Sequence, residues 1–145
     1  IYHEFIHMSS RSPLKCKNGF HAYDNGIYTT GLNEGYTELL SRRIFFDNDY
    51  NTSSYKFYVD FMLLFENLYD NYKDMESDYF KGNYDSLKDA FLKYGTEEEY
   101  YHIIATLSKE YWLLTEDEKD KLLCLMKDII SRKNYQKKQE KKCIH

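Results

Sequence analysis

Apolar positions recur at spacings of three and four along most of this 145-residue chain, so the elements they predict are helices. Residues 1 to about 10 read as a first helix. Ile1, Phe5 and Met8 mark a core-facing side, with His3 and His7 on the side next to it. The serines and proline of Ser9-Ser10-Arg11-Ser12-Pro13 close it. Residues 14–31 carry turn chemistry too dense for a long element: Gly19, Asn25-Gly26 and Gly31. Two short extended pieces, Phe20 to Tyr23 and Ile27 to Thr30, flank Asp24-Asn25-Gly26 in the manner of a hairpin.

The next helix starts between Thr30 and Asn33 and runs to about Phe46. Leu32, Tyr36, Leu39, Leu40, Arg43 and Ile44 lie on one face, and Glu34 and Glu38 lie beside it. Residues 54–73 predict a core helix with Tyr58, Phe61, Met62, Phe65, Leu68, Tyr69 and Tyr72 inward. Asp85 or Ser86 caps a short helix holding Leu87, Ala90, Phe91 and Tyr94, with Gly95 suited to its C′ position. Thr96-Glu97-Glu98-Glu99 is a capping box opening a helix with Ile103, Ile104, Leu107 and Tyr111 inward, and Trp112 is expected to pack at its end. A second box, Thr115-Glu116-Asp117-Glu118, opens a helix with Leu122, Leu123, Met126, Ile129 and Ile130 inward. Lys127, Arg132 and Lys133 are placed in its last turn, where they complement the dipole.

Composition narrows the class. Sixteen tyrosines and nine phenylalanines make the core and its rim aromatic, while one proline and six glycines argue against a β-sandwich or barrel full of tight turns. The net charge of −4 conceals a division. Residues 131–145 carry six basic side chains against Glu140, so this tail is +5 and the rest of the chain is −9. An acidic body offers no footprint for nucleic acid, and the tail reads as a solvated, frayed helix end. No apolar run reaches the roughly 18 residues of a membrane span, the longest, Phe57 to Phe65, being broken by Asp60. Cys16, Cys124 and Cys143 form no C-x-x-C pair, and reduced thiols, as in a cytosol, are the simplest reading. The Asn51-Thr52-Ser53 sequon carries little weight by itself.

The first helix carries the chemistry. His3-Glu4-Phe5-Ile6-His7 is an H-E-x-x-H pattern, and residues four apart on a helix share a face, so both imidazoles can reach one zinc ion. Glu4 is placed to take a proton from a water without itself holding the metal, which is the position of a general base. Glu34 and Glu38 are also four apart. On a surface helix such a pair is commonly just solvated. The functional reading makes Glu34 the third zinc ligand and Glu38 the acceptor for the free ring N–H of one histidine.

The H-E-x-x-H segment followed by Gly31-Leu32-Asn33-Glu34-Gly35-Tyr36-Thr37-Glu38 resembles the gluzincin metallopeptidases of the thermolysin type, in which an N-E-x-x-x-D segment follows on the next helix. The resemblance covers residues 1 to about 46. It implies that His3, His7 and Glu34 bind Zn2+, that Glu4 polarises the attacking water, and that Glu38 supports a ligand histidine. The chain departs from that pattern in carrying glutamate rather than aspartate at position 38 and in a longer gap between His7 and Glu34. Family members also use a tyrosine and a histidine outside these motifs to stabilise the oxyanion. Tyr23, Tyr28, His21 and His102 compete for that role, but no motif ties them to the site, and a core or rim position is the better reading.

The expected fold is mainly α: zincin-like catalytic helices and their connecting loop over 1–46, an α-helical subdomain over 47–130, and the basic tail over 131–145. The loop between the ligand helices would wall the cleft. The chain opens on Ile1 with two residues before the first histidine, which leads us to expect the C-terminal part of a longer catalytic domain whose β-sheet lies upstream. The expected activity is zinc-dependent hydrolysis of a peptide or protein substrate. Its alternatives are a non-catalytic binding or structural protein on a zincin scaffold and a metal-free helical adaptor.

Overall fold

The computed structural model describes residues 1–12 and 17–144, and the expectations placed on Pro13 and Cys16 lie outside the described residues. The fold is mainly α, as expected. Seven helices follow in order: α1 (Tyr2–Ser9), α2 (Thr30–Phe45), α3 (Lys56–Glu66), α4 (Tyr72–Phe80), α5 (Tyr84–Leu92), α6 (Glu97–Leu107) and α7 (Glu116–Ile144). Between α1 and α2 lie two antiparallel two-residue pairings. β1 (Arg11–Ser12) pairs with β2 (Lys17–Asn18), with Arg11 opposite Asn18, and β3 (Tyr23–Asp24) pairs with β4 (Ile27–Tyr28), with Tyr23 opposite Tyr28. The second is the expected hairpin: Asn25 and Gly26 both hold positive φ, at 51° and 78°, as a two-residue turn of this hand requires.

α2 lies at the centre, with α1, α3 and α6 packed against it and α7 against the far side of α3. It is buried on every side from Gly31 to Ser41 except at Glu34, so it is not the surface helix that its paired acids suggest. Glycine makes this possible at two contacts. A Cβ on Gly35 would lie 2.9 Å from the Tyr58 Cβ of α3, and one on Gly31 would overlap the Leu107 carbonyl at the end of α6. An ion-pair cluster ties the C-terminal half of α2 to its neighbours. The Arg43 guanidinium donates to Glu66 of α3 at 2.6 and 2.9 Å and to Glu76 of α4 at 2.7 Å, and the buried Tyr36 hydroxyl donates to Glu66 at 3.1 Å.

Several local expectations are corrected. The buried residue of α1 is Ile6, while Ile1, Phe5 and Met8 are exposed. With Tyr2 they form an apolar ridge continued by Ile44, Phe45 and Phe46, where Tyr2 stacks on Phe45 with centroids 4.5 Å apart. The stretch 54–73 is not one helix. α3 ends at Glu66, where Asn67 turns its side-chain amide back to the carbonyls of Leu63 and Leu64, and Asn71 then caps α4, leaving Tyr72 exposed beneath Arg43. Asn83, rather than Asp85 or Ser86, caps α5. Gly95 is no left-handed terminus; it is small because the Phe91 ring packs against it. α6 stops at Leu107, so Tyr111, Trp112 and Leu113 form an exposed 3-10 turn.

Both capping boxes form. Thr96 and Glu99 exchange hydrogen bonds, and Thr115 accepts from the Glu118 amide at 3.1 Å. α7 is continuous from Glu116 to Ile144, which puts Lys127, Arg132 and Lys133 mid-helix, away from the last turn. Lys133 is buried and donates to the carbonyls of Asn67 and Tyr69 at 2.8 and 2.9 Å, capping the end of α3 and the turn beyond it. Replacing Lys133 with methionine keeps the aliphatic stem and leaves those carbonyls without a donor, at an expected cost of about 1–3 kcal/mol. Urea denaturation measures the change, and a difference under about 0.5 kcal/mol, the size of a neutral surface substitution, would contradict the capping role.

Candidate metal centre

α1 and α2 cross so that four polar side chains meet between them. The H-E-x-x-H spacing sets His3 and His7 on one side of α1, and both are half-buried against α2. His3 Nε2 lies 3.0 Å from His7 Nε2 and 2.8 Å from Glu34 Oε2, and His7 Nε2 lies 3.2 Å from Glu34 Oε1. One donor atom from each of the three residues falls within 4.8 Å of the others, and among the described residues no fourth His, Cys, Asp or Glu joins the group. All three sequence-predicted ligands are therefore brought together.

Glu38 also stands where it was expected. Its Oε2 faces His3 Nδ1 at 2.8 Å, while Oε1 accepts from Ser53 at 2.8 Å and from the Arg42 guanidinium at 3.0 Å. The carboxylate can only accept, so His3 carries a hydrogen on Nδ1. Its Nε2 then confronts Glu34, which requires a second ring proton or a cation at that nitrogen. Burial disfavours a charged ring, but the hydrogen bonds and charges of Glu34 and Glu38 override it and raise the His3 pKa from 6.5 to about 9. For Glu34 burial likewise opposes ionisation, and His3 and His7 overcome it, lowering its pKa to about 2. The hydrogen bond from His3, assisted by Ser53 and Arg42 against burial, holds Glu38 at about 2.

Sequence reasoning missed the group that orients His7. The Thr37 hydroxyl donates its single hydrogen to the Asn33 carbonyl at 2.7 Å. Toward the buried Tyr79 hydroxyl at 2.6 Å and His7 Nδ1 at 3.4 Å it can only accept. An Nδ1 hydrogen on His7 satisfies that contact and leaves Nε2 as the ring nitrogen that faces His3 and Glu34. Thr37 sits three residues after Glu34 on the same helix, but no residue-type signal separates it from an ordinary threonine. Tyr55, also missed, stacks on the His3 ring with centroids 5.9 Å apart.

Glu4 is exposed and lines a cavity of about 390 Å3 together with His7, Asn18, His21, Asn33 and Glu34. His21 thus stands at the site from the loop that was expected to wall it. Tyr23 and Tyr28 pair with each other on the exposed hairpin, and His102 is exposed on α6 and lines neither this cavity nor its neighbour across Glu34.

The residues fit a zinc ion by their chemistry. Two imidazole nitrogens and one ionised carboxylate would supply three ligands, and among the described residues no fourth His, Cys, Asp or Glu joins them. Zinc–ligand bonds of about 2.0–2.1 Å at tetrahedral angles set donors about 3.3 Å apart, close to the separations seen here.

In the metal-free chain the His3 pKa is raised on folding, so its stabilising contribution is complete below about pH 6.5 and is lost as pH rises through about 9. Glu34 and Glu38 contribute above about pH 4.5, and lose that contribution as pH falls toward about 2. Thermal unfolding with chelator present should therefore be most resistant between about pH 4.5 and 6.5, and His3→Gln should flatten the alkaline decline. An alkaline limb unchanged in that variant would contradict the assignment. No protein-family model matches the chain, and neither a curated protein nor a solved structure matches it, so the grouping of His3, His7 and Glu34 stands on its own geometry.

Proposed function

We propose that the chain is a zinc-dependent metallopeptidase of gluzincin type, with His3, His7 and Glu34 as ligands and Glu4 as general base. The observation that carries this reading is the convergence of both Nε2 atoms and the Glu34 carboxylate at 2.8–3.2 Å, with Glu4 at the rim of the adjoining cavity. Among the described residues no fourth protein ligand joins the three, which supports a catalytic rather than a structural metal. When bound, zinc supplies Lewis-acid polarisation of the scissile carbonyl and makes water acidic enough to attack near neutral pH. Glu4, which makes no side-chain hydrogen bond among the described residues, takes the proton of the attacking water and returns it to the leaving amine. Glu38 and Thr37 keep the hydrogens of His3 and His7 on Nδ1, so that both Nε2 lone pairs remain available.

Elemental analysis should find one zinc per chain. Glu4→Gln should retain it while hydrolysis of a peptide library falls by about 10²–10⁴-fold. Unchanged turnover in this variant would sink the peptidase assignment, and a chain without zinc whose thermal stability ignores chelators would be the helical adaptor instead. Thr37→Val, which cannot accept from His7, should weaken zinc by about 10–100-fold, and Thr37→Ser should restore it. Equal zinc affinity in the two variants would remove Thr37 from the site.

A further inference from the structure

We infer that the cavity on the other side of Glu34 is a subsite for one large uncharged side chain of the substrate, aromatic in preference; this rests on the peptidase reading above. The cavity has a volume of about 170 Å3; Tyr55, Tyr58, Leu107 and Tyr111 line it, and Glu34, Lys109 and Glu110 also stand in its wall. That volume is below the roughly 300 Å3 at which sites for drug-sized ligands begin, so it admits a side chain rather than a folded segment. Its floor is set by the close contact of Gly31 with Leu107, which leaves no room for a side chain from α2 to fill it.

The walls are rings, arranged as a continuous series leading away from the metal centre. Tyr55 stacks on His3 at 5.9 Å, Tyr111 meets Tyr55 edge-on at 5.9 Å, and Trp112 meets Tyr111 edge-on at 5.5 Å. Tyr111 and Trp112 remain 44% and 68% exposed, so the series of rings is open to solvent at its outer end. An aromatic side chain entering here gains edge and face contacts on two sides. The charges nearby do not favour a charged guest. The Lys109 ammonium is drawn off to Glu118 at 2.6 Å, the Glu34 carboxylate is engaged by both histidines, and Glu110 lies exposed at the rim.

Trp112 is the chain's single tryptophan and stands beside the cavity, so its fluorescence reports occupancy directly. The full chain, both chelated and zinc-loaded as Glu4→Gln, would be titrated with acetyl-Gly-Xaa-Gly-amide peptides in which Xaa is Phe, Leu, Gly, Asp or Lys. The Phe peptide should bind at least tenfold tighter than those with Gly, Asp or Lys. Tyr111→Ala, a change on an exposed turn that leaves the core intact, should reduce the preference to within twofold, and Tyr111→Phe should keep it. Equal affinities across the series, tightest binding of the Lys peptide, or an unaltered preference in Tyr111→Ala would overturn the subsite. The two readings fail separately. Selective binding without hydrolysis by zinc-loaded native chain removes the peptidase and leaves the pocket, whereas hydrolysis indifferent to Xaa removes the pocket and leaves the peptidase.

Discussion

The structure depends on a central helix that carries its polar side chains inward. Asn33, Thr37, Glu38 and Ser41 are all buried on α2, and a buried polar group costs several kcal/mol unless it is paired. Each therefore dictates something around it. Asn33 Oδ1 accepts from the Phe20 amide at 2.9 Å and draws the loop after β2 onto the helix. Thr37 fixes Tyr79 of α4, and Glu38 gathers His3, Arg42 and Ser53 from three segments. Among the described residues no buried side-chain donor or acceptor is left unpaired, which is the condition for such a helix to be tolerable. The same pairing places the ligands: α1 is held on α2 by the hydrogen bonds that define the candidate metal centre as well as by Ile6.

The packing around α2 explains why the site is preorganised although its first element is short. An eight-residue helix with no side-chain cap is marginal alone. α1 gains from α2 what it lacks in length, Ser10 bonds the His7 carbonyl at its end at 2.8 Å, and β1 and β2 return the chain so that the Gly19 amide donates to the Ser10 carbonyl at 3.3 Å. The wall beyond is fastened separately. Asp24 on the hairpin accepts from Lys88 at 2.8 Å and from Tyr84 at 2.7 Å, and Thr29 donates to the Phe20 carbonyl at 2.7 Å. The hairpin of this loop is thus anchored to α5, which holds no ligand, while Thr29 and Phe20 tie the loop to itself.

The grouping of the candidate site is more legible in the sequence than the packing. His3, His7, Glu34 and Glu38 were readable because i, i+4 spacing has a geometric meaning independent of what surrounds the helix. Capping boxes and the Asn25-Gly26 turn were readable for the same reason, as their partners are local. What failed depended on distant neighbours. The face of α1 was assigned from Ile1, Phe5 and Met8, but the hydrogen bonds of His3 and His7 to α2 turn that face outward and leave Ile6 as the buried residue. The break between α3 and α4 is fixed in part by Lys133, more than sixty residues away. Thr37 acquires its role only from what Asn33, Tyr79 and His7 offer its single hydroxyl.

That hydroxyl and the Glu38 carboxylate bear on how a cation could be exchanged for a proton. With both Nδ1 hydrogens committed, the only ring position of His3 left to change is Nε2, facing Glu34. The metal-free molecule meets the two carboxylates by holding a proton there, as the raised His3 pKa expresses. In the proposed zinc-bound form the ion would take that proton's place, setting two positive charges instead of one against the Glu34 and Glu38 carboxylates. A site built this way trades affinity against pH, because protons compete for the same lone pair. In the proposed function the hydrogen bond that Glu38 makes to His3 Nδ1 would persist in both forms, and a fixed ligand geometry is what an attacking water beside Glu4 requires.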